Sequence, residues 1–99
     1  MALMEISVVP LGLGTPSVGD YVAALVDYLR KNQIPFRLTD MGTVIEGSPA
    51  QLFNWARLLH ELPFEKGAQR VVTHIAIDDR RDKKVSLGDK TASVEARLT

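Results

Sequence analysis

The polar and apolar positions of this chain alternate with a period of two in several short stretches, as they do in β-strands. In the first stretch Met4, Ile6 and Val8 fall on one face, and the opposite face mixes polar and apolar residues. This is the pattern of a strand that buries one side. The predicted strands span residues 3–11, 36–40, 43–47 and 70–78.

Apolar residues recur instead at helical spacing after the first and third of these strands, and again near the C-terminus. A serine suited to N-capping precedes each predicted helix: Ser17, Ser48 and Ser86. Gln51 completes a capping-box pattern with Ser48, whereas Pro63 interrupts the apolar stripe of that second helix. The predicted order is therefore strand, helix, strand, strand, helix, strand and helix.

This order of elements predicts an α+β fold. If both crossovers are right-handed, the first two helices pack on the same side of one sheet. That is the split βαβ arrangement of a ferredoxin-like βαββαβ sandwich, here with a short C-terminal helix. The first and third strands are then central and the second and fourth are edges. Residues 1–99 form a single predicted domain.

The face of the sheet that carries no helix is predicted to be too apolar to sit in water. It would hold residues such as Val9, Leu11, Met41 and Val72 or their neighbours. The fourth strand is also a long apolar edge, which invites pairing with another chain. We therefore expect a homo-oligomer that covers the open face, pairs the edge strand, or does both.

Composition narrows the partners and the compartment. The chain has 12 basic and 12 acidic residues, so its formal net charge is zero, and we expect no nucleic-acid partner because such proteins usually carry a basic excess. It has no cysteine, which excludes disulfides and cysteine-based metal sites. Glu5 stands where a signal peptide would be basic, and no apolar run approaches the ~20 residues of a membrane span. The default expectation is a cytoplasmic protein with no membrane partner.

The stretch MGTVIEG, residues 41–47, combines strand-forming residues with two glycines and a carboxylate that a strand interior rarely holds. In one interpretation Gly42 serves a hairpin turn, and Glu46 faces solvent at the strand end. In the other, Gly42 lets a ligand approach the backbone, Thr43 offers a hydroxyl, and Glu46 accepts a hydrogen bond from a cation or an amino-bearing ring. The pattern leaves both interpretations open.

Three further motifs are better explained by structure than by chemistry. The stretch PLGLGTPS, residues 10–17, resembles a phosphate loop but lacks the Walker lysine, so a capped strand-to-helix turn is favoured. The stretch DDRRD, residues 78–82, could chelate a hard cation, but its interleaved arginines favour a salt-bridge cluster. His60 and His74 lack the spacing of a metal site. No catalytic set is visible at the level of sequence.

The chain resembles the small thiamine-binding-protein family over nearly its whole length. The matching stretches are SVVPLGLGTPSVGDYV at 7–22, MGTVIEG at 41–47 and GAQRVVTHIAIDDRRDKK at 67–84. The resemblance implies a ferredoxin-like fold, homodimers formed through the sheets, and often homotetramers built as dimers of dimers. It also implies non-enzymatic binding of thiamine or its hydroxymethylpyrimidine half, with no cofactor and no metal.

The resemblance makes MGTVIEG a ligand-facing strand, on the open face of the sheet near a subunit interface. Glu46 would then accept from the exocyclic amine of the pyrimidine or offset the cationic thiazolium. Ser7, Thr39 and Thr43 would complete a polar edge. Met41 and Gly42 would wall the ring. These roles follow from motif positions in the family.

Two alternatives remain beside ligand binding. The first is an enzyme of thiamine or heterocycle metabolism, with Glu46 as general base and His74 nearby. The second is a structural or regulatory oligomerisation module without a small-molecule ligand, in which Glu46 pairs with an arginine such as Arg37 or with the partner subunit.

Overall fold

The computed structural model describes residues 1–12, 14 and 18–98, and its elements follow the predicted order. The predicted helix cap at Ser17 lies outside the described residues. The elements are β1 (Ala2–Pro10), α1 (Gly19–Lys31), β2 (Phe36–Leu38), β3 (Thr43–Gly47), α2 (Pro49–Glu65), β4 (Val71–Asp78) and α3 (Asp89–Arg97).

The strands form one antiparallel sheet in the order β2-β3-β1-β4. The central pair is β1 and β3, as predicted for the ferredoxin-like βαββαβ sandwich. Met4 lies opposite Ile45 on one side and Ile77 on the other, which fixes the register of both central contacts. Because directly opposed residues share a face, this row of apolar side chains points to the same side of the sheet.

The hydrophobic core lies between that face and the helices α1 and α2. Met4 and Ile45 are completely buried from the sheet side, and Leu29 of α1 and Leu59 of α2 are completely buried from the helix side. The apolar positions recur at helical spacing, so each helix buries one stripe. In the part of the chain that the structure describes, no helix is both long enough and apolar enough to cross a membrane.

Helix α2 begins with the predicted capping box and passes through Pro63. The Ser48 hydroxyl accepts from the Gln51 amide at 3.2 Å, and the Gln51 side chain accepts from the Ser48 amide at 3.0 Å. The prediction that Pro63 interrupts the helical stripe was wrong, because the helix runs through it to Glu65. Proline removes a single amide donor, and so close to the helix end the turn closes through the Pro63 carbonyl, which accepts from the Lys66 amide at 3.1 Å.

The C-terminal segment returns to the open face of the sheet. The Leu87 amide donates a hydrogen bond of 2.7 Å to Oε1 of Glu46, which anchors the chain just before α3. The predicted cap at Ser86 is replaced by Gly88, whose φ of 90° suits glycine, while Asp89 accepts from the Ser86 amide at 2.8 Å. No described residue of α3 is buried, so this helix adds nothing to the hydrophobic core.

Candidate functional site

A cavity of about 220 Å³ opens at one end of the sandwich, on the side of the sheet that the helices cover. The end of β1, the hairpin turn between β2 and β3, the start of α1 and the end of α2 form its walls. Most of the lining is aliphatic. The residues that bring polar side chains to it are Tyr21, Thr39, Asp40 and Thr43, and Ser7 borders it from the strand edge.

Thr43 is the buried polar residue of this cavity. It lies opposite Ile6 in the sheet, so its side chain faces the helices, and only 3% of the residue is exposed. Its hydroxyl makes no hydrogen bond to any residue that the structure describes. No described side-chain nitrogen or oxygen is fully buried without a partner, so this hydroxyl is open to the cavity. Thr43 therefore offers an unused donor and acceptor to anything that enters.

The edge of β1 offers a second unused pair of polar groups. The ladder between β1 and β3 ends at Ile6 and Thr43, whereas β1 continues to Pro10. The Leu11 amide donates to the Arg70 carbonyl at 2.8 Å, so the backbone groups of Leu11 point to the β4 side. Hydrogen-bonded pairs alternate along antiparallel strands, so residues at odd separations from Leu11 direct their backbone groups to the opposite side. The Val8 N–H and C=O therefore point away from β4, toward the cavity. Among the described residues nothing pairs with them.

The hairpin turn is held by Thr39 and by close packing at Gly42. The Thr39 amide and hydroxyl both donate to the Gly42 carbonyl, at 2.9 and 2.8 Å. A Cβ at Gly42 would lie 3.0 Å from the Ile6 carbonyl oxygen, so the glycine allows the turn to approach β1. Met41, at the tip, is 83% exposed and lies at the cavity mouth.

The structure brings together every site residue predicted from the sequence except Glu46. Ser7, Thr39, Met41, Gly42 and Thr43 border the cavity. Ser7 does so from the strand edge, because alternation along β1 assigns its side chain to the open face. Glu46 lies on that same open face, about 10 Å along β3 from Thr43, since a strand rises ~3.3 Å per residue. The Glu46 carboxylate binds the Leu87 amide instead.

Sequence reasoning missed two residues that line the cavity, Asp40 and Tyr21. Asp40 brings a carboxylate to the cavity lining, and it sits in the hairpin turn beside Met41. It was assigned to the second strand, which in the structure ends at Leu38. Tyr21 was assigned to the apolar stripe of the first helix. An aspartate two residues before a glycine, which is typical of a hairpin turn, is the signal that could have identified Asp40.

Several of the other sequence candidates have structural partners. Arg80 pairs with Asp82 at 2.6 Å and Arg81 pairs with Asp79 at 2.7 Å, and these hydrogen-bonded guanidinium groups lower the pKa of both carboxyl groups. Nδ1 of His60 lies 2.7 Å from the Thr73 hydroxyl. Over residues 1–12, 14 and 18–98, no group of histidines and carboxylates is arranged to hold a metal. Part of PLGLGTPS lies outside these ranges.

A second cavity, of about 330 Å³, lies between the segment that follows β4 and helix α3. Its basic lining residues are all exposed, and two of them bind within the chain, Arg80 to Asp82 and Arg97 to Ser93. Water screens exposed charges strongly, so this cavity is a weaker candidate than the first. Its basic side chains are Arg80, Lys83, Lys84, Lys90 and Arg97.

Comparison with known proteins identifies the family. A family model described as thiamine-binding protein matches residues 4–95. The chain belongs to the thiamine-binding protein family. Its relatives include the UPF0045 protein YqgV of Bacillus subtilis, which is 45% identical over 99% of this chain and 98% of its own length. A UPF0045 protein of Methanothermobacter thermautotrophicus is 36% identical over 99% of this chain and all of its own length, 100%.

Solved structures of similar proteins share the fold of this member of the thiamine-binding protein family. A hypothetical protein from Methanocaldococcus jannaschii superposes with a TM-score of 0.83 at 29% identity, covering 95% of both chains. A Thermotoga maritima protein assigned by inference to thiamine biosynthesis or salvage gives a TM-score of 0.76 at 16% identity, covering 94% of this chain and 97% of its own. These likenesses confirm the ferredoxin-like α+β fold predicted from the sequence.

Proposed function

We propose that this protein binds thiamine or its hydroxymethylpyrimidine moiety in the cavity between the sheet and the helices. The observation that carries the proposal is the Thr43 hydroxyl, which borders that cavity, is open to it and makes no hydrogen bond to a described residue. An aliphatic pocket with a few convergent polar groups is the usual form of a small-molecule site. Membership of a binding-protein family supports this choice of ligand class.

The size and polarity of the cavity suit one aromatic ring rather than a whole thiamine molecule. At about 220 Å³ it is smaller than the ~300–1,000 Å³ of sites that hold drug-sized ligands. We therefore assign the pyrimidine ring to the interior and the cationic thiazolium to the mouth. Asp40 at the mouth supplies a negative charge for the thiazolium, and Met41 covers the ligand. Glu46 has no role in this arrangement.

The proposed activity is binding without chemical turnover, in a cytoplasmic protein. The polar side chains that line the cavity are hydroxyls and the exposed carboxylate of Asp40, which suit hydrogen bonding to a heterocycle. The enzyme alternative gave Glu46 the role of general base, and Glu46 is absent from the lining of the cavity. Its contact with the Leu87 amide supports a structural role instead.

We also propose that the functional form is a homo-oligomer, a dimer and further a dimer of dimers. Apolar side chains remain exposed along β4, including Val72 at 37% and Ile75 at 47%. Helix α3 adds Val94 at 50% and Leu98 at 78%. An edge strand and a helix that both expose apolar residues favour burial against another copy.

The binding proposal is tested by calorimetric titration of the purified protein with thiamine, its phosphates and hydroxymethylpyrimidine. Thr43→Val keeps the shape of the side chain and removes the hydroxyl. We expect it to weaken binding of the pyrimidine compounds about fivefold, the equivalent of a hydrogen bond of about 1 kcal/mol. Thr91→Val is the matched control, because Thr91 is exposed on α3, and its affinity should equal that of the unmodified protein.

Two results would contradict the proposal. If no compound binds, the oligomerisation module without a ligand becomes the better account, and the exposed apolar surface of β4 and α3 favours it. If the compounds bind but Thr43→Val has the affinity of the control, the ligand site lies outside this cavity. Conversion of any of these compounds to a product would favour the enzyme alternative.

A further inference from the structure

We propose that the ligand takes the place of a missing neighbouring strand, and that it forms hydrogen bonds with the backbone N–H and C=O of Val8. The inference rests on the proposed function and specifies the chemistry of the same site. The ligand class that it selects is a planar heterocycle with an amino group on the carbon next to a ring nitrogen. Such an edge presents a donor beside an acceptor, as a strand residue does.

The geometry comes from the unequal lengths of two neighbouring strands. Continuing the register of β1 and β3 past Ile6 and Thr43 would set Met41 opposite Val8. The pairing with β1 stops before that point, because the Gly42 carbonyl accepts from the Thr39 amide and the hairpin closes there. Val8 is left at an open strand edge, and it borders the cavity.

The two backbone groups of Val8 act as a pair. In an antiparallel strand, the N–H and C=O of one residue project to the same side and bind the C=O and N–H of one partner residue. The ring nitrogen of an aminopyrimidine would accept from the Val8 N–H, and its amino group would donate to the Val8 C=O. Unmade backbone hydrogen bonds at a partly buried edge are costly, so a ligand that supplies both gains affinity.

Thr43 completes the recognition from the adjacent strand. Its neighbour across the sheet is Ile6, two residues before Val8, and both Thr43 and Val8 border the cavity. A ring held against the Val8 edge would thus lie next to Thr43, in the place that residue 41 would take if β3 began two residues earlier. The hydroxyl can serve as donor or acceptor for a further polar atom of the ring.

Hydrogen exchange measured by NMR tests this directly on the unmodified protein. Without ligand, we expect the Val8 amide to exchange at least tenfold faster than the amide of Val9, which pairs with Val72 in the sheet. Saturating hydroxymethylpyrimidine should slow exchange at Val8 at least tenfold and leave Val9 unchanged. Binding without protection of the Val8 amide would overturn the inference and leave the proposed function standing.

Ligand analogues provide a second test that needs no variant. One analogue lacks the exocyclic amino group, and another has C–H in place of the adjacent ring nitrogen. Each loses one of the two backbone hydrogen bonds, and we expect each to bind about tenfold more weakly than hydroxymethylpyrimidine. Equal affinity of all three compounds would refute recognition by the strand edge. If hydroxymethylpyrimidine itself fails to bind, the proposed function and this inference fall together.

A protein variant separates the backbone donor from side-chain packing. Val8→Pro removes the N–H, and a proline is tolerated where a strand edge donates to no neighbour. Val8→Ala keeps the N–H and removes most of the side chain, so it is the matched control. We expect Val8→Pro to bind hydroxymethylpyrimidine at least tenfold more weakly than Val8→Ala. If Val8→Pro fails to fold, the exchange and analogue measurements decide the question.

Discussion

Gly42 sits where a single added methyl group would meet the backbone of the neighbouring strand. A Cβ there would lie 3.0 Å from the Ile6 carbonyl oxygen. We predict that Gly42→Ala lowers the free energy of unfolding by about 1–2 kcal/mol, the scale of mild overpacking, in urea denaturation. Met41→Ala, one residue away and highly exposed, should leave stability unchanged. Equal stability of both variants would mean that the turn has room to move.

Glu46 is a second residue whose role can be tested alone. Its carboxylate accepts from the Leu87 amide at 2.7 Å and lies outside the cavity lining. We predict that Glu46→Gln leaves affinity for thiamine unchanged and accelerates hydrogen exchange at Leu87, because a neutral acceptor is weaker than a charged one. A loss of affinity in calorimetry would return Glu46 to the site.

The stretch MGTVIEG shows how far residue-level prediction reaches. The sequence-based prediction placed the ligand site of this stretch on the open face of the sheet, whereas the cavity that the stretch borders lies on the face that the helices cover. It also grouped Thr43 with Glu46, although residues separated by three along a strand point to opposite faces. The alternation of side chains along a strand therefore already predicted that Thr43 and Glu46 lie on opposite faces of the sheet. The contact of Glu46 with Leu87 could not be predicted, since it joins segments 41 residues apart in the chain.

Helix α2 depends on its N-terminal cap. The Ser48 hydroxyl accepts from the Gln51 amide, in a complete capping box. We predict that Ser48→Ala lowers the free energy of unfolding by about 1 kcal/mol, which is a fall of roughly 4–8 °C in Tm for a domain of this size. Ser86→Ala is the control, because no side-chain cap bond is formed at the start of α3. A thermal melt in which both variants lose the same stability would contradict this account.

The helices and strands were predictable because hydrophobic periodicity and the residues that end an element are local features of the sequence. Hydrophobic spacing and the N-capping serine Ser48 identified α2. The effect of Pro63 was predicted wrongly, because a proline two residues before the end of a helix does not interrupt it. The cavity was not predictable at this scale. It exists because β1 runs to Pro10 while β3 starts at Thr43, and strand ends depend on pairing rather than on composition.

Among the described residues, none of those in α3 is buried in the chain's own core. A helix of nine residues is only marginally stable in isolation, so its burial in an oligomer would supply the missing packing. We predict that Val94→Glu shifts the protein to smaller species in analytical ultracentrifugation. Ala92→Glu introduces the same charge on the opposite side of α3 and should leave the assembly intact. A Val94→Glu protein with the sedimentation of the unmodified chain would remove α3 from the interface.

One contact at the far end of the sheet involves Trp55, whose fluorescence can be measured in the unlabelled protein. Trp55 is the chain's one tryptophan, and a Cβ at Gly47 would lie 2.6 Å from its ring. Gly47 follows Glu46, the residue that anchors the C-terminal segment. Fluorescence from Trp55 should therefore follow the packing of α2 against the end of β3 without any label. Read beside calorimetry, it separates motion at this corner from events in the cavity about 13 Å away along β3.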